Sequence, residues 1–340
     1  MLQHINCLKR SLILRIDRCR ISPCITAVAI ASIGVALLSG CSFLRTSAEQ
    51  HGAAQTTASA TTPASPSVIR KPYMGVFEPD ELTSFAQVMG FARAVGHRPN
   101  IVLYYSGWLQ PFETAFAEKA RAIGASTLVQ IDPDGVDLAA VAAGEYDGYL
   151  SAYARAVRTF GHPVIIGFGH EMNGGWYSWG FRQTDPSTWI AAWRHLVTVF
   201  RNQGVHNVKW LWTINRLGGK AELPQRWWPG DSYVDWIGID GYYYLPNNTF
   251  NNVFGATIAV IRHITNKPII LSETAIGPIA GQAAKIPGLF AGIKQNHILG
   301  LVWFDVGWHK YPGLYRQNWR LEGHPGAIAA FRQGMALLGR

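Results

Sequence analysis

From residue 73 onward the chain alternates between short, almost continuously apolar runs and longer stretches whose apolar positions recur every three or four residues. The runs are Tyr73–Phe77, Ile101–Tyr105, Thr127–Ile131, Val164–Phe168, Val208–Thr213, Trp236–Ile239, Pro268–Leu271 and Gly300–Phe304. Runs without a polar face predict strands of a parallel sheet that is covered on both sides. The stretches Glu81–Val95, Pro111–Ile123, Tyr146–Thr159, Thr188–Asn202 and Phe250–Ile264 predict helices. Glycine and proline mark the changeovers, as in Gly96-His97-Arg98-Pro99 and Gly161-His162-Pro163. The link Arg216–Tyr233 carries no helical period. Strand–helix steps repeated over about 265 residues predict the α/β class, as a single (β/α)8 TIM barrel. The alternative is an open doubly wound sheet, but no G-x-G-x-x-G follows the first strand. The nearest match, Gly167-Phe168-Gly169, lacks the third glycine.

Upstream the pattern changes. Lys9, Arg10, Arg15, Arg18 and Arg20 precede an apolar run from Ile25 to Leu38. At about 14 residues that run is shorter than the roughly 20 that a membrane span needs, so it reads as the core of an export signal. It ends in Leu38-Ser39-Gly40-Cys41, which resembles a bacterial lipobox. The resemblance implies cleavage before Cys41 and lipidation of that residue. The Ala, Thr, Ser, Gln and Pro of Ser42–Ser67 predict a flexible tether. The expected organisation is a signal peptide over 1–40, a lipidated cysteine and linker over 41–70, and a barrel domain over 71–340. Ser42, in place of an aspartate, points to the outer membrane or cell surface rather than inner-membrane retention.

Composition narrows the chemistry. All four cysteines (Cys7, Cys19, Cys24 and Cys41) precede the barrel, which therefore has no disulfide, thiolate metal site or cysteine nucleophile. The net charge is +9, but the leader holds five of the basic residues and one acid, Asp17, and the remaining charge is dispersed without a basic run. A nucleic-acid partner is not expected. Thirteen tryptophans predict an aromatic-lined cleft, the kind of surface on which the apolar faces of sugar rings stack.

A barrel carries its chemistry at the C-terminal ends of its strands. Glu78, Asp132, Glu171, Asp240, Glu273 and Asp305 all fall there, a concentration of acids that folding does not require. Glu171 lies in Gly169-His170-Glu171-Met172-Asn173-Gly174-Gly175-Trp176-Tyr177-Ser178-Trp179-Gly180. Indole walls would desolvate its carboxyl and raise its pKa towards that of a general acid. Glu273 lies in Leu271-Ser272-Glu273-Thr274-Ala275, and the sixth strand brings Tyr242 to the same rim. A phenol donating to Glu273 would keep it ionised, as a nucleophile requires. Carboxyls on strands four and seven face each other across the mouth. About 5–5.5 Å between them gives a retaining glycosidase and about 6.5–9.5 Å an inverting one, a choice that the sequence leaves open. Glycine at position 174 breaks H-E-x-x-H, and no G-x-S-x-G occurs, so neither a zinc protease nor a serine hydrolase is expected. No metal or cofactor is called for.

Together these residues resemble glycoside hydrolase family 26. The H-E-M-N-G-G-W-Y-S-W-G segment is the most specific part of the likeness, joined by Val234-Asp235-Trp236-Ile237-Gly238-Ile239-Asp240-Gly241-Tyr242 and by Trp303. The resemblance implies that Glu171 is the acid/base and Glu273 the nucleophile. It further implies that His170 shapes the subsite of the cleaved sugar, that Tyr242 touches the nucleophile, and that Trp176 and Trp303 stack on sugars. Trp179, Asn215 and Asp240 are further substrate-binding candidates, with Trp108, Trp212, Trp227, Trp228 and Trp308 behind them. Trp189 and Trp193, four residues apart in a predicted helix, read as helix–barrel packing. The expected activity is endo-hydrolysis of a β-1,4-linked polysaccharide, β-mannan first, by a monomer. The alternatives are a mixed-linkage β-1,3-1,4-glucanase or another β-glycanase of the family, and a lipoprotein that binds polysaccharide without cutting it. Substrate choice is expected in the Arg216–Tyr233 link and in a loop around Gly277–Gly281.

Overall fold

Each of the eight apolar runs is a strand in the computed structural model, which describes residues 72–79, 82–219, 221–277, 279–307 and 318–339. The strands are β1 (Tyr73–Phe77), β2 (Ile101–Gly107), β3 (Ser126–Asp132), β4 (Val164–Phe168), β5 (Val208–Asn215), β6 (Trp236–Tyr243), β7 (Ile269–Ile276) and β8 (Gly300–Phe304). They pair in chain order, all parallel, and β8 closes on β1 to complete a barrel. Closure needs a glycine: a Cβ on Gly300 would lie 1.9 Å from the Tyr73 carbonyl oxygen. The signal peptide, Cys41 and the tether lie outside the described residues.

The helices are α1 (Ala86–Val95), α2 (Thr114–Ala122), α3 (Leu138–Ala142), α4 (Asp147–Phe160), α5 (Pro186–Asn202), α6 (Ala256–Ile264), α7 (Ile279–Gln295) and α8 (Pro325–Leu338). In α5 the Asp185 carboxylate caps the Ser187 N–H, and Pro186 supplies a pre-set first turn. The buried stripe Trp189, Trp193, Leu196 and Phe200 then faces the barrel. Trp189 and Trp193 stack at 5.2 Å with no exposure, in the helix–barrel layer. Trp193→Ala should therefore cost about 3–5 kcal/mol of stability, read as a fall in the urea midpoint. Phe250–Ile264 opens with a π-helical turn over Asn251–Gly255 before α6 begins. The Arg216–Tyr233 link holds two 3₁₀ turns, Pro224–Trp227 and Asp231–Tyr233. Around Gly277–Gly281 a loop was expected, but α7 already runs from Ile279 and includes Gly281.

Several strands outrun their apolar runs. β5 continues to Asn215, β6 to Tyr243 and β7 to Ile276, so Asn215, Asp240 and Glu273 stand inside strands rather than after them. The register pairs Asn215 with Asp240, and Asp240 with Glu273, lining the three up along one rim. Strand β7 carries one extra residue relative to both neighbours, between Leu271 and Glu273. Such a bulge interrupts the in–out alternation of side chains. Successive residues Ser272 and Glu273 consequently both reach inward, Ser272 to Asp240 and Glu273 to phenols on β2 and β6.

Candidate active site

The loop after β4 sets Glu171 with an unusual backbone. Its φ is +54°, a left-handed conformation rare for a non-glycine residue and held only where the surroundings over-determine it. The Glu171 N–H donates to the Thr213 carbonyl (2.9 Å), and its own carbonyl receives the Gly174 N–H (2.9 Å). The carboxyl is almost fully buried and takes two N–H donors, Asn215 Nδ2 on Oε1 (2.7 Å) and Trp176 Nε1 on Oε2 (2.9 Å). Asn215 is itself locked, because its N–H donates to Asn173 Oδ1 and its carbonyl accepts from Asn173 Nδ2, both at 2.9 Å. Trp176 leans over Gly174, where a Cβ would lie 2.0 Å from the indole ring. It stays half-buried.

Glu273 has different partners. It is 1 % exposed, with Tyr105 of β2 donating to Oε1 and Tyr242 of β6 donating to Oε2 (2.5 Å). Burial first, then the Glu273 charge, push both phenols well above their ordinary pKa, so both remain donors. Tyr242 is backed by Trp319, stacked at 4.6 Å and 15°. The phenols of Tyr177 and Tyr244 are raised first by burial and then by the charges of Glu171 and Glu273, Glu171 ahead of Glu273.

His170 is buried, with Nδ1 2.8 Å from Asp132 Oδ1 and Nε2 3.0 Å from the Tyr177 hydroxyl. Tyr177 stacks on Trp179 at 4.3 Å, and the Trp179 indole N–H donates to the His170 carbonyl (2.8 Å). Trp179 is a buried wall behind the site and offers no open face to a sugar. Asn215 orients Glu171, while Asp240 at the same rim is fully buried, accepting from Ser272 Oγ (2.6 Å).

Trp303 is a correction. The expected sugar platform has no exposure, meets Phe331 of α8 edge-on at 5.5 Å and donates to the Trp319 carbonyl (2.9 Å). On β8 it is the neighbouring Phe304 that packs on Phe77 (4.4 Å) and Tyr242 (5.7 Å). Trp212 and Trp227 are buried too, and the Trp212 indole N–H holds the β5–β6 link through the Trp227 carbonyl (3.1 Å). Trp108 and Trp228 are half-buried, and Trp308 lies outside the described residues.

Tyr105, Tyr177, Asn173 and Trp319 were not expected at the site. Of these, Tyr177 and Asn173 sit in the H-E-M-N-G-G-W-Y segment, beside residues that already mark the site. Among the described residues two groups have side chains close enough to share a cation: His170, Asp240 and Glu273, and Glu78, Asp305 and Glu322. In the first, both Glu273 oxygens already accept phenol protons. In the second, Asp305 accepts the Leu321 N–H (2.8 Å), and burial, a hydrogen bond with Glu322 and the charges of Glu78 and Glu322 push its carboxyl well above the usual range. That cluster pins the segment carrying Trp319 to the rim.

Comparison with known proteins gives the arrangement its relatives. The chain is 29% identical over 271 residues to Endoglucanase H of Acetivibrio thermocellus, covering 74% of this chain and 29% of that protein. It is 28% identical over 148 residues to mannan endo-1,4-beta-mannosidase A and B of Caldalkalibacillus mannanilyticus, covering 40% of this chain and 27% of that protein. The chain thus spans less than a third of the length of either relative. Its fold is similar to the catalytic domain of the Bacillus sp. JAMB-750 GH26 endo-beta-1,4-mannanase (TM-score 0.60, 18% identity, 78% of this chain and 85% of that one). It is similar also to a GH26 beta-mannanase from Bacteroides ovatus (TM-score 0.59, 16% identity, 77% and 87%). Residues 138–321, the stretch from α3 through both carboxyls to the strap beside Trp319, match the profile of glycosyl hydrolase family 26, and the chain belongs to that family.

Proposed function

We propose that the protein is a retaining, endo-acting glycoside hydrolase whose first substrate is a β-1,4-linked mannan. The observation that carries this reading is the contrast between the two carboxyls: Glu171 held by two N–H donors, one of them a half-buried indole, Glu273 gripped by two phenols. In this mechanism Glu171 gives its proton to the glycosidic oxygen as the bond to the anomeric carbon breaks. Glu273 attacks that carbon to form a glycosyl ester, and Glu171 then takes a proton from the water that releases the sugar. His170, fixed by Asp132 and Tyr177, lines the subsite of the cleaved sugar. Trp176 stacks on a ring beside it. Neither step uses a metal or an organic cofactor.

Mannan comes first because mannan endo-1,4-beta-mannosidases recur among the relatives, one of them 33% identical over 144 residues. An endoglucanase and beta-1,3-xylanases stand beside them, so mixed-linkage β-glucan and β-1,3-xylan are the runners-up. The reading includes export and lipidation at Cys41, which would hold a monomeric barrel domain at the outer membrane or cell surface. Among the described residues no helix is long and apolar enough to cross a membrane.

The test is release of new reducing ends from β-mannan, galactomannan, mixed-linkage glucan and β-1,3-xylan by a soluble form beginning near Gln50. Cleavage of mannan is the expected result. Cleavage of another polymer alone would replace mannan as the substrate, and binding without cleavage would leave a polysaccharide-binding lipoprotein.

A further inference from the structure

The surroundings of Glu273 pose a problem that one phenol does not solve. Its register partner Asp240 is fully buried, and a carboxylate oxygen from each, with a ring nitrogen of His170, lies within 4.8 Å of the others. Burial and a neighbouring like charge both favour the protonated carboxyl, which cannot attack carbon. Donors that bond only to the ionised form oppose that tendency.

We propose that Tyr105 is a second positioning residue for the nucleophile, acting with Tyr242 so that both oxygens of Glu273 are gripped from opposite walls of the barrel. Tyr105 comes from β2, its ring set between Phe77 (5.2 Å, near-perpendicular) and His170 (5.5 Å), so its hydroxyl is aimed by packing rather than by the carboxylate alone. Burial and the Glu273 charge keep the phenol protonated. Two grips have a chemical use. When one oxygen bonds to the anomeric carbon, the phenol on it gives up a charged acceptor. The phenol on the other oxygen then polarises the ester carbonyl and eases departure of the carboxylate in the second step. The titratable groups facing Glu273 include Tyr105, His170, Tyr177, Asp240, Tyr242 and Tyr244.

This inference rests on Glu273 being the nucleophile, and its test has a readout that does not depend on activity. In protein carrying ¹³C-carboxyl glutamate, the Glu273 signal is assigned by its loss in Glu273→Gln and followed against pH. In Tyr105→Phe its midpoint should rise by about one pH unit, since a hydrogen bond to a charged group is lost. The acid limb of kcat/KM should rise with it while the basic limb stays in place. Site-specific 3-fluorotyrosine at position 105, a more acidic and stronger donor of nearly the same shape, should move both downward. This second substitution decides the matter alone if Tyr105→Phe does not fold. A Glu273 midpoint unmoved by either substitution, with activity lowered, would reduce Tyr105 to packing and overturn the proposal. A midpoint that moves in a protein that cleaves none of the polysaccharides would leave the grip standing and remove the proposed function.

Discussion

Glu273→Ala should lower turnover on the cleaved polysaccharide by about four orders of magnitude or more, because in the proposed mechanism Glu273 is the group that forms the glycosyl ester. The side chain is buried between Tyr105 and Tyr242, so the substitution also strands two phenol donors. It removes a buried charge at the same time, so the two effects on stability offset, and the far-UV circular dichroism spectrum should match that of the native protein. The comparison is of kcat and of spectrum in the same preparation. Retention of even a tenth of the native rate would take the nucleophile's role away from Glu273.

The second large effect belongs to Glu171. Glu171→Ala removes the proposed proton donor, and the loss should depend on what leaves. A polysaccharide departs as an alkoxide and needs the proton, so turnover should fall by about 10³- to 10⁴-fold. An aryl glycoside with an acidic phenol as leaving group needs little help in the first step and should accumulate the glycosyl ester, since the base for water is missing. Azide, which needs no base, should then restore turnover and yield a β-glycosyl azide. That product also reports the stereochemistry: two inversions retain the β configuration. Equal losses on both substrates, with no azide product, would exclude Glu171 as the acid/base.

The two effects separate cleanly because of how each carboxyl is built. Glu171 has a left-handed backbone anchored to β5, and its direction is fixed by Asn215 at the end of that strand, itself held by Asn173, and by Trp176 of its own loop. Glu273 depends on strands β2, β6 and β7 at once, with Trp319 behind Tyr242. Substitutions around Glu171 should therefore act locally. Those around Glu273 propagate across the barrel mouth.

The barrel was legible in the sequence because a parallel sheet covered on both faces leaves near-continuous apolar runs, and its crossovers leave helical periods. The polar rim was legible for a related reason: the hydrophobic pattern stops where the chemistry begins. For that reason the runs ending at Thr213, Ile239 and Leu271 fell short of β5, β6 and β7, whose last residues include Asn215, Asp240 and Glu273. Glu171, His170 and Trp176 were found together because one loop carries all three.

The same continuity concealed what the tertiary structure decides. A strand that is apolar on both faces does not say which side chains point inward, and so Trp303, expected in the cleft, packs outward on Phe331 while its neighbour Phe304 takes the inner place. Tyr105 ends an apolar run 168 residues from Glu273, with no local motif to mark it, and the two meet only when the barrel closes. The bulge that turns both Ser272 and Glu273 inward depends on the register of β7 with two neighbouring strands. The sequence by itself determined the fold class, the strand order and two glutamates at the mouth, because these are written in local periodicity and in short segments. The facing of each strand, the locking of Asn215 by Asn173 and the second phenol on Glu273 depend on contacts between distant strands, and only the closed barrel decided them.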